Sequence, residues 1–263
     1  MPAYLDTIIA AHRAGAAADG RRLDELLEQV DPDAPVRSFR DAITRDAAAH
    51  GMAVISEIKR RSPSRGALDL TLDPMTVAHE YEAGGASCLS VLTDVDFFGG
   101  SAADLAAARD GCSLPVLRKD FTVSPLDVVD ARLMGADAVL LIVAVLTDVE
   151  LTSLLGLARR CSLTALVEVH DGVELARAIE VGADVIGVNQ RDLHTFEVDH
   201  QRALLLGGAV PDHVTAVAES GIEGPEDVRR LADAGYQAVL VGELLVRSGD
   251  RRTAVAELLG VGA

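Results

Sequence analysis

Cysteine is scarce in this chain, and the pattern of the few cysteines bears on its redox environment. Cys88, Cys112 and Cys161 are the three found among 263 residues. They are odd in number and widely spaced, and no Cys-x-x-Cys pair is present. We therefore predict buried, reduced thiols, which are typical of a cytoplasmic protein.

Basic charge is also in short supply. The chain has 24 Lys and Arg against 41 Asp and Glu, for a formal net charge of −17. A phosphate backbone or an anionic bilayer needs a basic surface, so neither a nucleic acid nor a membrane is expected as a partner. A small anionic substrate is compatible with this charge wherever basic residues converge locally.

Long apolar runs and flexible linkers are missing as well. No apolar run reaches the roughly 18 residues of a membrane span, and the first residues lack the basic and apolar regions of a signal peptide. No low-complexity tract or Pro/Ser-rich linker divides the chain, and 49% of its residues are hydrophobic. We therefore expect one domain with a large core over residues 1–263.

A repeated junction between helix and strand organises the chain. In four places a Gly ends a helical segment and a short, continuously apolar run follows. Gly suits the left-handed position that closes a helix, and continuous apolar runs are typical of strands buried on both faces of a parallel sheet. These junctions span 82–91, 133–142, 180–188 and 233–241, and each contains one predicted strand. Four further apolar runs at 53–59, 115–118, 164–169 and 214–218 bring the predicted strands to eight.

Helical segments alternate with these strands, as β-loop-α units require. They cover 74–83, 101–110, 125–133, 148–160, 172–181 and 225–234. Eight such units in about 210 residues favour an α/β fold of the (β/α)8 barrel type, with an open flavodoxin-like sheet as the alternative. Helical patterns at 5–13 and 22–28 predict that residues 1–50 form an N-terminal helical extension of the barrel.

Charged residues interrupt the first predicted strand. Glu57 and Lys59 fall on the same face as Ile55, because side chains alternate across a strand. Opposite charges near a core are costly unless paired, so such a pair is either a structural ion pair or kept for chemistry. The following turn, Ser62-Pro-Ser-Arg-Gly66, is polar and basic and suits a loop over an anionic ligand.

Polar residues recur where later strands end. In a barrel, catalytic groups lie where the strands pass into the following loops. A lysine ammonium can donate a proton and a carboxylate can accept one, so this pattern predicts acid–base chemistry on an anionic substrate. The strand ends carry Lys119, Glu168 with His170, Asn189 with Arg191, and Glu219. The other histidines show no ligand spacing, so no metal site is predicted, and His170 is expected to support Glu168 rather than to react.

The last two strands end in small residues that suit a phosphate. Ser220-Gly221 and Gly242 each follow a strand and precede a turn. Backbone N–H groups bared by Gly and the positive ends of helices bind phosphate well, and phosphate sites are frequent here in barrels. Ordinary turn glycines are the alternative. Glu243 fits a phosphate only if its side chain points away.

Six motifs together resemble one family, the indole-3-glycerol-phosphate synthases of tryptophan biosynthesis. They lie in the family's order at 57–66, 90–94 with 97–100, 117–121, 166–170, 189–193 and 219–222. The resemblance covers nearly the whole chain and implies a (β/α)8 barrel that uses no cofactor. The implied substrate, 1-(2-carboxyphenylamino)-1-deoxyribulose 5-phosphate, closes a ring, loses CO₂ and water, and yields indole-3-glycerol phosphate.

The resemblance also implies roles for the residues. Lys119 would be the general acid, Glu168 the general base, and Lys59 would hold the substrate carboxylate and act in the dehydration. Glu57 would orient the two lysines. The remaining implied site comprises Asn189 and Ser220 as further catalytic residues, Ser62 and Arg191 as loop supports, Phe98, Phe121, Leu140, Leu193 and Leu240 around the aromatic ring, and Ser220, Gly221, Gly242 and Glu243 around the phosphate.

Three positions depart from the family's pattern. Leu126-Asp127 stands where Tyr-Gln is usual, Gln190 replaces a second Asn, and Glu243 replaces a Ser. Two alternatives stay open: a phosphoribosylanthranilate isomerase, whose known Cys/Asp pair has no counterpart at these strand ends, and a phosphosugar-binding barrel without turnover. The family's members are commonly monomers, which is the state expected here.

Overall fold

The computed structural model describes residues 4–62, 66–192 and 195–260, and this part of the chain contains a closed barrel of eight parallel strands. The (β/α)8 prediction is confirmed and the open sheet is wrong. The strands are β1 (Ala53–Ile58), the two-residue β2 (Arg61–Ser62) and β3 (Gly66–Ala67) of a separate hairpin, β4 (Cys88–Leu92), β5 (Val116–Lys119), β6 (Ala138–Ile142), β7 (Thr164–Val169), β8 (Val185–Asn189), β9 (Thr215–Glu219) and β10 (Ala238–Val241). Around the barrel the strands follow the order β1, β10, β9, β8, β7, β6, β5, β4.

Helices surround the barrel, and all eight predicted helical segments are present, the two N-terminal ones included. Four others, at 39–50, 200–207, 243–247 and 251–258, were not predicted individually, because each is too short or too polar for a clear period. The helices are α1 (Tyr4–Ala18), α2 (Leu23–Leu27), α3 (Phe39–His50), α4 (Pro74–Ala83), α5 (Ala102–Asp110), α6 (Pro125–Leu133), α7 (Asp148–Arg160), α8 (Gly172–Glu180), α9 (His200–Gly207), α10 (Pro225–Asp233), α11 (Glu243–Arg247) and α12 (Arg251–Leu258), with a 3-10 turn at Val143–Val145.

Polar side chains set where several of these helices begin. Ser124 and Asp127 form a capping box at the start of α6, and Thr147 and Glu150 form another at the start of α7. Each box satisfies backbone N–H groups that a helix end leaves without partners. Asp127, which departs from the family's pattern, therefore has a structural role. Its side chain accepts hydrogen bonds from the backbone at the end of the loop that follows β5.

The apolar core has two layers, one inside the barrel and one between the barrel and the outer helices. The inner layer includes fully buried Ile55, Leu117 and Leu166. Phe39 and Ile43 of α3 join it and close the barrel at the amino-terminal ends of the strands. Catalytic groups of a barrel lie at the opposite end, so the closed end leaves the carboxyl end for chemistry.

The N-terminal helices attach to both ends of the barrel. At the closed end the Arg40 guanidinium of α3 donates to Thr215, the first residue of β9. At the open end Arg13 of α1 donates to the Val145 carbonyl and forms an ion pair with Glu150 at 2.7 Å. Within the described ranges, no helix combines the length and the apolar character that crossing a bilayer would take.

All three cysteines are free thiols, as predicted. Burial raises the pKa of each thiol. Cys88 lies in β4, facing the barrel interior, and Cys161 ends α7; both are buried. Cys112 corrects the expectation of burial, because it follows α5 at the surface and is only half-buried.

Candidate active site

A cavity of about 1190 Å³ opens at the carboxyl ends of the strands. It contains the residues that the sequence assigned to the site, with one exception: Leu193 lies outside the described residues. The lining residues that were expected are Glu57, Lys59, Ser62, Phe98, Lys119, Phe121, Leu140, Glu168, Asn189, Arg191, Ser220, Gly221, Leu240, Gly242 and Glu243.

The two-residue period of the strands brings the charges together. Side chains two positions apart share a face, so each inner apolar residue is followed by a polar one nearer the open end. The inner layer of the barrel thus passes into a charged layer. The pairs are Ile55 with Glu57, Leu117 with Lys119, Leu166 with Glu168, and Val217 with Glu219.

Lys119 lies between two carboxylates. Its Nζ is 2.9 Å from Oε2 of Glu168 and 2.9 Å from Oε2 of Glu219. Burial would lower the pKa of Lys119, but the two carboxylates outweigh burial and hold the pKa above its usual value. Lys119 is therefore an ammonium at neutral pH, and its proton can go to a substrate oxygen that replaces one of the carboxylates.

The two carboxylates differ in their ionisation. Burial would raise the pKa of Glu168, but the charges of Lys119 and His170 hold it well below its usual value. For Glu219, burial and the negative charge of Glu168 outweigh Lys119 and raise the pKa to about 7. Titratable groups whose surroundings separate their pKa values are typical of acid–base pairs.

The second lysine forms an ion pair with Glu57, and the two side chains are 17% and 6% exposed. Ser90 donates to the other oxygen of Glu57 at 3.4 Å. Gly242 leaves room for this pair: a Cβ there would lie 2.4 Å from Oε1 of Glu57 and 3.2 Å from Nζ of Lys59. The sequence contains no lysine besides Lys59 and Lys119.

Glu219 is the candidate site residue that the sequence analysis left without a role. Its position at a strand end is visible in the sequence, and the rule that singled out Lys119 applies equally to it. What the sequence did not reveal is its contact with Lys119, a hundred residues away along the chain. The second oxygen of Glu219 is buried without a hydrogen bond among the described residues.

Polar contacts at the wall of the cavity hold the loops that follow β8 and β9. Oδ1 of Asn189 accepts from the Arg191 backbone at 3.0 Å, and the Arg191 guanidinium donates to the Phe196 carbonyl at 2.9 Å. Gln190, the second departure from the family's pattern, is buried and donates to the Ser220 carbonyl at 2.7 Å. Gln190 therefore supports the backbone turn that holds Ser220.

The turn after β9 has an unusual backbone conformation. Ser220 and Gly221 both have positive φ, at 64° and 70°. A Cβ at Gly221 would lie 2.5 Å from Val198, so the position is restricted to glycine by space as well as by φ. Nearby, the side chain of Glu243 is 3.6 Å from the Arg247 guanidinium, which offsets part of its negative charge.

Aromatic and apolar side chains form the other wall of the cavity. The Phe98 and Phe121 rings lie 6.2 Å apart, and Leu140 and Leu240 lie deeper. Tyr4, Leu5 and Ile8 of α1 also line the cavity, a contribution that no local pattern could predict.

His12 of α1 anchors this helix to the rim. Its Nε2 is 2.9 Å from Asp94 and 3.9 Å from Asp120. The three side chains could together hold a cation. The carboxylates already accept other hydrogen bonds, however: Asp94 from two backbone N–H groups and Asp120 from Thr93 and Arg118. The contact is thus explained as an attachment of α1.

A closed parallel barrel with lysines and glutamates at its carboxyl end defines the class of (β/α)8-barrel enzymes that use acid–base chemistry. Comparison with known proteins narrows the class. The family model described as indole-3-glycerol phosphate synthase matches residues 5–258. The chain therefore belongs to the indole-3-glycerol phosphate synthase family.

Individual relatives agree with this assignment. The indole-3-glycerol phosphate synthase of Kineococcus radiotolerans is 49% identical over 98% of this chain and 96% of its own length. That of Beutenbergia cavernae is 53% identical over 90% of this chain and 86% of its own length. Among solved structures, a 3-hexulose-6-phosphate synthase is 16% identical with a TM-score of 0.64, over 81% of this chain and all of its own, which supports the fold alone.

Proposed function

We propose that this chain converts 1-(2-carboxyphenylamino)-1-deoxyribulose 5-phosphate to indole-3-glycerol phosphate, CO₂ and water. Family membership supports the reaction. The observation that carries the proposal in this chain is Lys119 between Glu168 and Glu219, in one cavity with the Lys59–Glu57 pair. The cavity is large enough for a substrate of this size.

Ring closure needs a proton at the substrate's carbonyl oxygen. The ring carbon that bears the carboxylate bonds to the carbonyl carbon, and the carbonyl oxygen takes a proton from Lys119. Hydrogen bonds from a positioned acid stabilise the charge that develops on oxygen in the transition state. Lys119 reaches that oxygen if the substrate displaces one of its two carboxylate partners.

Loss of CO₂ follows, because breaking the bond to the carboxylate returns an electron pair to the ring and restores its aromaticity. Lys59 pairs with the substrate carboxylate before this step. The carboxylate then competes with Glu57 for the same ammonium. Ser90 holds the other oxygen of Glu57, so Glu57 stays near Lys59 and the two re-form their ion pair when CO₂ leaves.

Dehydration completes the indole. The hydroxyl made from the carbonyl leaves as water with a proton from Lys59, and Glu168 removes a proton from the neighbouring ring methylene. Two protons are donated and one is recovered, so one proton enters per turnover, as the conversion of a carboxylate to CO₂ requires. The 2.9 Å contact between Glu168 and Lys119 gives the recovered proton a direct way back to the acid.

The remaining residues hold the two ends of the substrate. The apolar wall around Phe98 and Phe121 suits the aromatic ring, and Asn189 suits a hydroxyl of the sugar chain. At the other end, the positive-φ turn at Ser220 and Gly221 exposes backbone N–H groups near the start of α10, which favours a phosphate. Gly242 and Glu243 complete that end, with Arg247 nearby as an additional positive charge.

A fluorescence assay tests this proposal. The chain contains no Trp, so the fluorescence of the indole product is measured against a weak protein background. We expect wild-type protein to form indole-3-glycerol phosphate without added metal or cofactor. Lys119→Met should lower kcat by at least about 100-fold, the typical contribution of a general acid.

Two controls make the outcome specific. Thermal unfolding checks that Lys119→Met is folded, and calorimetric titration with indole-3-glycerol phosphate checks that its cavity still binds. Wild-type protein that binds the substrate but forms no indole would favour the binding barrel without turnover. Full activity of Lys119→Met would remove Lys119 from the mechanism.

A further inference from the structure

The two oxygens of Glu168 face different partners. Oε2 contacts the Lys119 ammonium at 2.9 Å, and Oε1 lies 3.4 Å from Nε2 of His170. His170 follows β7 by one residue, and its ring lies beside Glu168 without lining the cavity. A ligand in the cavity would therefore meet Glu168 and Lys119, while His170 would act on Glu168 from behind.

Glu174 of α8 fixes the His170 ring. One oxygen of Glu174 accepts from the His170 backbone N–H at 2.7 Å and contacts Nδ1 at 3.0 Å. Asp171 caps α8 by accepting from the backbone of Glu174 at 2.8 Å, so the carboxylate that orients the ring is itself held. The histidine is thus clamped by a helix start rather than by a mobile loop.

Each ring nitrogen of His170 faces a carboxylate oxygen. Nδ1 faces Glu174, while Nε2 is buried and faces Glu168 without a hydrogen bond of normal geometry. Carboxylates only accept hydrogen bonds, so the arrangement fits an imidazolium that donates from both nitrogens. Hydrogen bonds at catalytic groups are often long before substrate binds and shorten in the complex.

The charges around the ring have the same consequence. Burial would lower the pKa of His170, but Glu168 and Glu174 outweigh burial and raise the pKa to about 9. These two carboxylates are the charged groups next to the ring. Lys119 of β5 contacts the other oxygen of Glu168, and Glu219 of β9 contacts Lys119, so both affect the charge of the ring through Glu168.

We propose that His170, clamped by Glu174, is a positioning residue that holds Oε1 of Glu168 and keeps this carboxylate ionised while Lys119 is neutral. The inference rests on the proposed function, in which Lys119 gives its proton to the substrate. At that moment Glu168 loses the positive charge on Oε2. His170 supplies a second positive charge that remains, since its own proton is not transferred, and Glu168 can then accept the proton from the ring methylene.

The pH dependence of kcat tests the proposal. We compare wild-type protein with His170→Asn and Glu174→Gln, and with His79→Asn as a matched control, since His79 is exposed on α4. The lower pH limit of activity follows ionisation of the coupled Glu168 and Glu219 pair. Without the neighbouring cation, Glu168 binds a proton more tightly, so this limit should move to higher pH by about one unit or more in His170→Asn.

The shift of the lower pH limit should be smaller or absent in the other two variants. Glu174→Gln should shift the limit in the same direction by less, and His79→Asn should match wild-type protein. In His170→Asn, kcat should fall more than KM rises, because the ring does not touch the cavity. A uniform loss of activity with an unmoved pH limit, or no loss, would overturn the proposal and leave His170 a structural residue.

A direct measurement covers the case in which His170→Asn does not fold. Nitrogen NMR of ¹⁵N-histidine-labelled wild-type protein reports the protonation of each ring. We expect both nitrogens of His170 to carry protons at pH 7.5, and a neutral ring would overturn the proposal. This measurement does not depend on turnover, so a wild-type protein that forms no indole would count against the proposed function alone.

Discussion

Gly187 leaves the space that the side chain of Glu219 occupies. It lies in β8 beside β9, and a Cβ at this position would lie 2.0 Å from Oε1 of Glu219 and 3.2 Å from Leu166. Because Lys119 holds the other oxygen of Glu219, this side chain could make room for a Cβ only by giving up its contact with Lys119. The glycine therefore shapes the proposed catalytic arrangement although it has no functional group.

Gly187→Ala should consequently damage activity more than its size suggests. We expect Glu219 to be pushed away from Lys119, with a fall in kcat of at least about tenfold and a loss of stability of about 1–3 kcal/mol from overpacking. Steady-state kinetics and thermal unfolding check this prediction.

The matched control is Gly156→Ala. Gly156 is exposed in α7, and no atom lies within 4 Å of the point where a Cβ would stand, so alanine should leave activity unchanged and stabilise the helix by up to about 1 kcal/mol. If Gly187→Ala kept both the activity and the stability of wild-type protein, the close contact with Glu219 would not constrain the site.

At the scale of elements, α1 covers one side of the cavity. Leu5 and Ile8 are buried and line the cavity, and the Tyr4 ring packs edge-on against Phe97 and Phe196, with centroids 6.0 and 5.4 Å apart. Substrate affinity should therefore depend on how firmly α1 is attached. The His12 contact is the part of this attachment that depends on the protonation of a histidine.

The His12 contact should stabilise the protein most at acid pH. Its hydrogen bond with Asp94 raises the pKa of His12 above the value in the unfolded chain, with a further contribution from Asp120 against burial. The stabilisation is then fully present below the unfolded pKa of about 6.5 and lost as pH rises through the folded pKa. His12→Asn should cost on the order of 1 kcal/mol at pH 5.5 and less at pH 9.

Thermal unfolding of wild-type protein and His12→Asn between pH 5.5 and pH 9 measures this difference. His79→Asn serves again as the control, because His79 is exposed on α4. A difference in stability that did not change with pH would show that His12 acts only by packing. KM should rise with the loss of the contact, since α1 lines the cavity.

At the scale of the whole molecule, we infer one cooperative domain that is a monomer. The N-terminal helices attach at both ends of the barrel, through Arg40 and Arg13, so they share its stability. Among the described residues, the large exposed apolar side chains occupy separate segments rather than one stretch of chain: Leu70, Met75, Val95, Leu133, Val149, Val173 and Leu205.

Light scattering and calorimetry test this inference. We expect a solution mass of 27.6 kDa and a single unfolding transition. Separate unfolding of residues 1–50 would contradict the single domain, and twice the mass would contradict the monomer.

Much of the active site was predictable because a strand has a period of two. Glu57, Lys119 and Glu168 interrupt apolar runs at the ends where a barrel carries out its chemistry, and that interruption is visible in the sequence. The partners of these residues were not predictable. The contact of Lys119 with Glu219 and that of His12 with Asp94 join residues a hundred and 82 positions apart, and local patterns carry no information about such distances.

The sequence by itself determined the barrel, the end at which its charged residues gather and, through six ordered motifs, the family. The barrel and its charged end follow from local rules, since burial on both faces, strand alternation and glycine turns depend on near neighbours in the chain. The family follows from the resemblance of the six motifs. The tertiary structure alone decided which two carboxylates contact Lys119, how His170 faces Glu168, and where α1 covers the cavity. It thereby also decided the ionisation of the site. Charges act through space and burial, so their pKa values are set only once the chain has closed around them.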